Sequence, residues 1–249
     1  MDTKKVVVNL SGGVDSAVLL YKAVREFDEV HCITFDYGQR HNRELQCAGW
    51  LYADAKYKSK KPVFLKNVDA SFIRHLAPTS SLTNDDIETP DIRKIAGEAQ
   101  PKSYVPFRNL MFLSIALSHA EAVGAEQVWH GATAVDSLAG YWDASAEFLP
   151  SLNSLCSLNR ENAISVVAPL INCDKADIVR MGVSLNVPFA KTYTCYSGEE
   201  LADATTPSSS LRIQGFLKAG YKDPIKYKQQ KQIDALYQQH QCKDITNDQ

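Results

Sequence analysis

Ser11, Gly12, Gly13, Asp15 and Ser16 are the residues that first suggest chemistry, lying between an apolar run and the start of a helical pattern. Glycines let backbone N–H groups approach an anion closely, and a helix N-terminus adds unpaired donors and a favourable dipole. Ser16 offers a hydroxyl from the first turn, and Asp15 beside a phosphate suits Mg2+ shared between carboxylate and phosphate oxygens. An ordinary helix start capped by Asp15 or Ser16 is the plain alternative. A full S-G-G-x-D-S string after a first strand is more specific than a lone Gly-Gly turn and favours phosphate. The Gly-Lys-Ser/Thr ending of the common nucleoside-triphosphate loop is missing, because no lysine lies between Asn9 and Leu20.

A second group follows Asp36, which falls at the C-terminal end of a predicted parallel strand, where ligands bind in open α/β sheets. Gln39, Arg40 and His41 come next and suit a carboxylate or phosphate, unless they are a solvated helix start. Arg108 precedes a predicted helix and suits phosphate charge; Asn109 is either a ligand to the site or that helix's cap.

The elements that must position these groups alternate. A near-continuous apolar run predicts a buried strand at 6–10, and further strands are read at 30–35, 63–68, 127–130 and 164–167. Helical spacing predicts helices at 17–27, 41–55, 110–123 and 175–181, the last closed by Gly182. The expected fold is α/β, a doubly wound, Rossmann-like parallel sheet with right-handed crossovers. We divide it into a nucleotide-binding part, 1–190, and a small C-terminal helical segment, 191–249. Residues 76–103 carry Pro78, Pro90 and Pro101 without a clear period, which reads as a lid, binding loop or disordered segment. The Lys- and Gln-rich tail from 221 reads as a polar helix docked by a narrow apolar stripe.

Composition sets outer limits. Of 249 residues, 45% are hydrophobic, so a sizeable core is available. Lys+Arg 27 against Asp+Glu 29 gives a net charge of −2, against generic nucleic-acid or membrane-surface binding. The N-terminal apolar run is too short for a signal peptide or a spanning helix, so a cytoplasmic protein is expected. Cys32, Cys47, Cys156, Cys173, Cys195 and Cys242 include no C-x-x-C pair and read as reduced thiols.

S-G-G-V-D-S resembles the pyrophosphate loop of N-type ATP pyrophosphatases, in the adenine nucleotide alpha hydrolase-like superfamily. FDYGQRH (35–41), SSLT (80–83), YVPFRN (104–109), GYWD (140–143), APL with DKA (168–176), TYTCYSG (192–198) and LRIQGF (211–216) follow in the order seen in 7-cyano-7-deazaguanine synthases. The resemblance spans about residues 5–220. It implies ATP and Mg2+ as cofactors and 7-carboxy-7-deazaguanine as the small-molecule substrate. The acid is activated by transfer of AMP, with pyrophosphate leaving, then converted to an amide and by a second activation to a nitrile. Ser11, Gly12, Gly13, Asp15, Ser16 and Asp36 would hold ATP. Asp15, Arg40, His41, Arg108 and Lys175 would be catalytic. Gln39, Asn109, Asp136, Tyr141 and Asp143 would hold substrate, the last three reading the base by carboxylate and ring; a turn stabilised by Asp136 is the plain alternative.

The chain departs from that family in places. Asp203, Thr206 and Ser209 stand beside Cys195 where the family has a four-cysteine zinc site, so no zinc is expected. Phe107 replaces a glycine before Arg108, and Ala134 replaces a polar residue in a loop one residue longer. Departures on the acceptor side with an intact loop lead us to expect one ATP per product, stopping at an amide. The acceptor would be ammonia or the amino group of a partner protein, as divergent relatives travel with antiviral defence systems. A catalytically silent nucleotide-binding subunit is the reading from another class. A homodimer is compatible with the sequence.

Overall fold

The computed structural model describes residues 3–39, 43–84, 86–87, 102–138, 140–161, 163–195 and 200–245. Five strands form one parallel sheet in the order β3-β2-β1-β4-β5. They are β1 (Lys5–Asn9), β2 (Glu29–Asp36), β3 (Val63–Asp69), β4 (Gln127–Trp129) and β5 (Ser165–Val167). Val6, Val7 and Val8 are wholly buried, as a central strand covered on both faces requires.

Parallel neighbours need crossovers. Helices α1 (Val14–Glu26) and α2 (Arg43–Ser59) link β1 to β2 and β2 to β3; α3 (Phe72–Leu76) and α4 (Arg108–Val123) lie between β3 and β4. Short α5 (Ala134–Leu138), a 3-10 turn (Trp142–Ala144) and α6 (Phe148–Cys156) lead to β5. Then come α7 (Lys175–Ser184), a 3-10 turn (Phe189–Lys191), α8 (Pro207–Ala219) and α9 (Gln230–Gln239). Strand alternation splits the core. Val6, Val8 and Cys32 pack with α1, α2, α7, α8 and α9, while Val7, Ile33 and Val128 pack with α3, α4 and α6. The doubly wound α/β expectation holds, and the strand order reverses beside β1, the place where such sheets bind ligands.

Several expectations change. The helix expected to close at Gly182 runs on to Ser184. Gly182 is there for close packing: a Cβ on it would lie 2.2 Å from the Phe189 ring. The five-residue helices α3 and α5 were not foreseen, and α5 places Asp136 on a helix and not in a loop. Nor were α6 and α8 foreseen. Their prolines, Pro150 and Pro207, obscure the pattern yet sit in first turns, where no intrahelical N–H bond is lost. The tail is docked as expected, through Ile233 and Tyr237 on α9.

The C-terminal third is tied down by a buried ion pair. Arg212 Nε and Nη2 donate to Asp223 Oδ2 and Oδ1 at 2.6 and 2.9 Å, and the Tyr227 hydroxyl donates to Asp223 Oδ2 at 2.6 Å. Remaining guanidinium hydrogens reach Thr192 Oγ1 at 2.8 Å and the Phe189 carbonyl at 3.2 Å. A forked, fully bonded geometry of this kind is what offsets the desolvation of two charges.

Candidate active site

A cavity of about 320 Å³ opens at the C-terminal ends of β1, β2 and β4. The S-G-G-V-D-S loop forms one wall and holds its own shape. The Gly12 amide donates to Ser16 Oγ at 3.2 Å, the Gly13 amide to Ser11 Oγ at 3.3 Å, and the two hydroxyls lie 3.0 Å apart. Gly12 has φ 91°, and a Cβ there would fall 2.2 Å from the Glu44 carbonyl oxygen. Only glycine suits that conformation and that approach of α2.

The lysine missing from the loop arrives 160 residues later. Lys175 Nζ donates to both carboxylate oxygens of Asp15 at 2.7 Å. A capping box fixes where α7 starts: Asp174 Oδ1 accepts from the Asp177 amide at 2.9 Å, and Asp177 Oδ2 accepts from the Asp174 amide at 3.2 Å. Lys175 is the first residue of that helix. Gly215 on α8 lets its stem pass, since a Cβ there would lie 2.4 Å from Lys175 Cγ.

Asp136 lies near the same two charges. Its Oδ2 accepts from the Thr133 amide and hydroxyl, both at 2.8 Å. Burial, then the negative charge of Asp15, raise its pKa against the pull of Lys175. Two carboxylates with oxygen donors only, beside a phosphate loop, fit Mg2+, which is held by one or two carboxylates plus substrate phosphates.

The other sequence candidates divide by position. Gln39 lines the cavity and folds back, its Oε1 accepting from the Tyr37 amide at 2.9 Å. Arg108 lines it from the first turn of α4, its guanidinium 5.5 Å from the Tyr37 ring centre. Tyr141 lines it with its hydroxyl 2.6 Å from Ser103 Oγ. Asp36 closes a turn, accepting from the Gly38 amide at 3.2 Å. Asp143 is buried behind Asn109, its oxygens accepting from the Asn109 amide at 3.1 Å and side-chain Nδ2 at 3.2 Å. It thus anchors the positive N-terminus of α4, with Asn109 on the cavity wall. Arg40 and His41 lie outside the described residues.

Sequence reasoning passed over six polar residues of this wall: Asn9, Thr34, Tyr37, Glu44, Ser103 and His130. Burial pushes the Glu44 carboxyl up to about 7, against the charge of Arg108. Burial and then Arg108 push His130 down to about 4, so its ring is neutral. Asn9, Thr34 and His130 all stand at C-terminal strand ends, the signal that would have found them. Leu82 and Ser103 bring both described ends of the 76–103 segment to the cavity.

Phe107 keeps a left-handed backbone, φ 56°, at the start of α4. That conformation favours glycine, the residue the resemblance implies here, and costs a phenylalanine about 1–2 kcal/mol. Its exposed ring meets Trp142 edge-on at 5.3 Å, and the Trp142 indole and the Phe107 amide both donate to the Tyr104 hydroxyl.

The Tyr193 amide donates to the Gly12 carbonyl at 3.1 Å, joining the T-Y-T-C segment to the loop. Behind it, Cys195 Sγ accepts from the Asp203 amide at 3.3 Å, and Thr206 Oγ1 lies 2.9 Å from Ser209 Oγ. Asp203 Oδ1 accepts from the Thr205 amide and from Gln229 Nε2, at 2.9 and 3.2 Å. The four positions therefore offer one thiol, two hydroxyls bonded to each other, and a carboxylate turned to Thr205 and Gln229. A closed tetrahedral zinc site needs thiolate or imidazole ligands, so zinc does not fit. Among the described residues no group of three or more His, Cys, Asp and Glu could hold a metal, and no helix is long and apolar enough to cross a membrane.

Comparison with known proteins gives a family. The profile described as "Queuosine biosynthesis protein QueC" matches residues 5–220. The 7-cyano-7-deazaguanine synthase of Clostridium kluyveri is 39% identical over 92% of this chain and 100% of its own length. That of Thermoplasma acidophilum is 41% identical over 91% of this chain and 93% of its own. Among solved structures, NMN synthetase from Francisella tularensis superposes with a TM-score of 0.48 at 15% identity, covering 95% of this chain and 85% of that one.

Proposed function

The chain belongs to the QueC family of queuosine biosynthesis proteins, and from that premise we propose an ATP-dependent carbon–nitrogen ligase of the 7-cyano-7-deazaguanine synthase type. The observation that carries this reading is the Lys175–Asp15 pair at a self-braced phosphate loop that contains no lysine of its own. In this reading ATP lies with its β and γ phosphates on the amides and hydroxyls of 11–16. A carboxylate oxygen of 7-carboxy-7-deazaguanine attacks the α phosphorus, and the bond to the β-phosphate oxygen breaks, releasing pyrophosphate. An uncharged amine then attacks the acyl carbon, loses a proton, and AMP leaves. Arg108 on the opposite wall offsets negative charge on the adenylate, and Lys175 holds Asp15 in register with the loop. Mg2+, when held by Asp15 and Asp136, supplies charge neutralisation to the phosphate oxygens.

We place the end of the reaction at the amide. Support comes from the exposed rings of Phe107 and Trp142, each next in the chain to a cavity-lining residue, Arg108 and Tyr141. An exposed edge-to-face aromatic pair suits contact with a larger amine donor, such as a partner protein, better than ammonia alone needs. Mass spectrometry of the product formed from the acid, ATP and ammonium, with and without co-purified proteins, tests this. One AMP per amide, or a partner carrying the deazaguanine acyl mass, is expected. Two AMP per free nitrile and no modified partner would make this an ordinary nitrile-forming synthase.

A further inference from the structure

Three buried polar atoms of the cavity wall have no hydrogen-bond partner among the described residues: Asn9 Oδ1, Thr34 Oγ1 and His130 Nε2. Buried polar atoms in folded proteins are nearly always paired, so three orphans on one cavity point to something the cavity receives. They are not equivalent. Asn9 ends β1, and His130 follows Trp129, which pairs with Val8, so the two residues are neighbours across the β1–β4 seam. The His130 amide donates to the Val167 carbonyl at 2.8 Å, which fixes its backbone. By strand alternation both project to the face of Val7 and Val128, the face covered by α4. Thr34 projects to the other face, with Cys32.

The α4 face is also where Arg108, Asn109 and Phe112 meet the cavity. Asn9 presents a carbonyl oxygen, which needs a donor, and the uncharged His130 ring presents a nitrogen that donates or accepts according to its tautomer, so the pair carries no charge and calls for a partner that brings at least one N–H. Phosphate and carboxylate oxygens bring no donors, and a charged amine would want a carboxylate. What such a pair suits is the flat edge of a ring bearing N–H groups. Asp143, the carboxylate expected to read that edge, has both oxygens engaged by Asn109.

We infer that Asn9 and His130 form the floor that recognises the N–H edge of the substrate's deazaguanine ring. This rests on the ligase reading above and adds to it the residues that select the acid. ATP then occupies the opposite side, toward the loop and Thr34.

Equilibrium binding of two probes separates the possibilities: 7-carboxy-7-deazaguanine, and an ATP analogue with a non-cleavable α–β bridge. Asn9→Leu and His130→Leu are expected to weaken the acid by about ten- to a hundredfold, the loss that goes with an unsatisfied buried group. Both should hold the ATP analogue within twofold of wild type, which also shows that they fold. His130→Gln, keeping a polar end, should recover most of the affinity. In turnover the loss should appear in KM for the acid and leave kcat nearly unchanged. An acid analogue lacking the exocyclic amine should bind wild type less well and lose less on substitution, the sign of direct coupling. Loss of ATP-analogue affinity with the acid unaffected would assign the floor to adenine and overturn the inference. Unchanged affinity for both would show that the orphan atoms hold only water. A wild-type chain that binds no acid at all would instead sink the ligase reading itself.

Discussion

The phosphate loop and the segment that braces it differ in how they are built. The bonds made by the loop's own hydroxyls lie within residues 11–16, so its local form follows from six consecutive residues. Its charge and its orientation come from far along the chain. Lys175 arrives from α7, the Tyr193 amide grips Gly12, and Arg212 holds the carbonyl and hydroxyl groups of Phe189 and Thr192 that lead to Tyr193. Around this brace, Cys195, Asp203, Thr206 and Ser209 make hydrogen bonds. A loop can be read locally; the lever that aims it cannot.

That contrast is best broken at Arg212. Arg212→Leu leaves Asp223 buried without its cation, which costs about 3–5 kcal/mol for a fully buried pair. A denaturant midpoint lowered accordingly is expected, with Arg212→Lys recovering little because it lacks the fork. An unchanged midpoint would show that the brace does not depend on this pair.

Asp15→Asn strikes the loop instead. We expect at least about a hundredfold loss of magnesium-dependent turnover, the size of losing a transition-state electrostatic group, with the unfolding midpoint little moved. A large stability loss with turnover preserved would reverse the roles given to loop and brace.

Glu44 sharpens the comparison through pH. Its carboxyl is raised from 4.5 to about 7 by burial, so the fold prefers the protonated form. Stability from this group is full below the ordinary value and is lost as pH rises through about 7. In unliganded protein, Glu44→Gln should therefore unfold later than wild type near pH 8 and match it near pH 4. A difference that does not vary with pH would show that the carboxylate bears no burial cost.

The smallest effect is expected from chelation. Incubation with a strong chelator should leave the unfolding midpoint unmoved, and elemental analysis should find zinc well below one equivalent per chain. A stoichiometric zinc bound through Cys195 would mean that this segment rearranges around metal.

Much of this was legible in residue order. All five strands were placed from residue order, most plainly β1, because a strand buried on both faces needs an apolar stretch, as Val6, Val7 and Val8 show. The loop was legible for the reason already given. Lys175 stood out only by resemblance, because nothing local to Asp174-Lys175-Ala176 says that it meets Asp15. Glu44 and His130 were hidden by ordinary contexts, a helix's acidic first turn and a strand end, since burial and neighbours make them unusual. Asp143 sits where the resemblance implies a base reader, and only the fold reveals that Asn109 occupies both its oxygens.

Which bond of ATP is broken decides between adenylation and phosphoryl transfer. Purified chain, 7-carboxy-7-deazaguanine, Mg2+ and ATP labelled at the α phosphorus should yield labelled AMP with an equal amount of pyrophosphate, and Lys175→Met should abolish both. Labelled ADP with free phosphate would mean that the loop transfers the γ phosphoryl group, and the adenylating reading would be wrong.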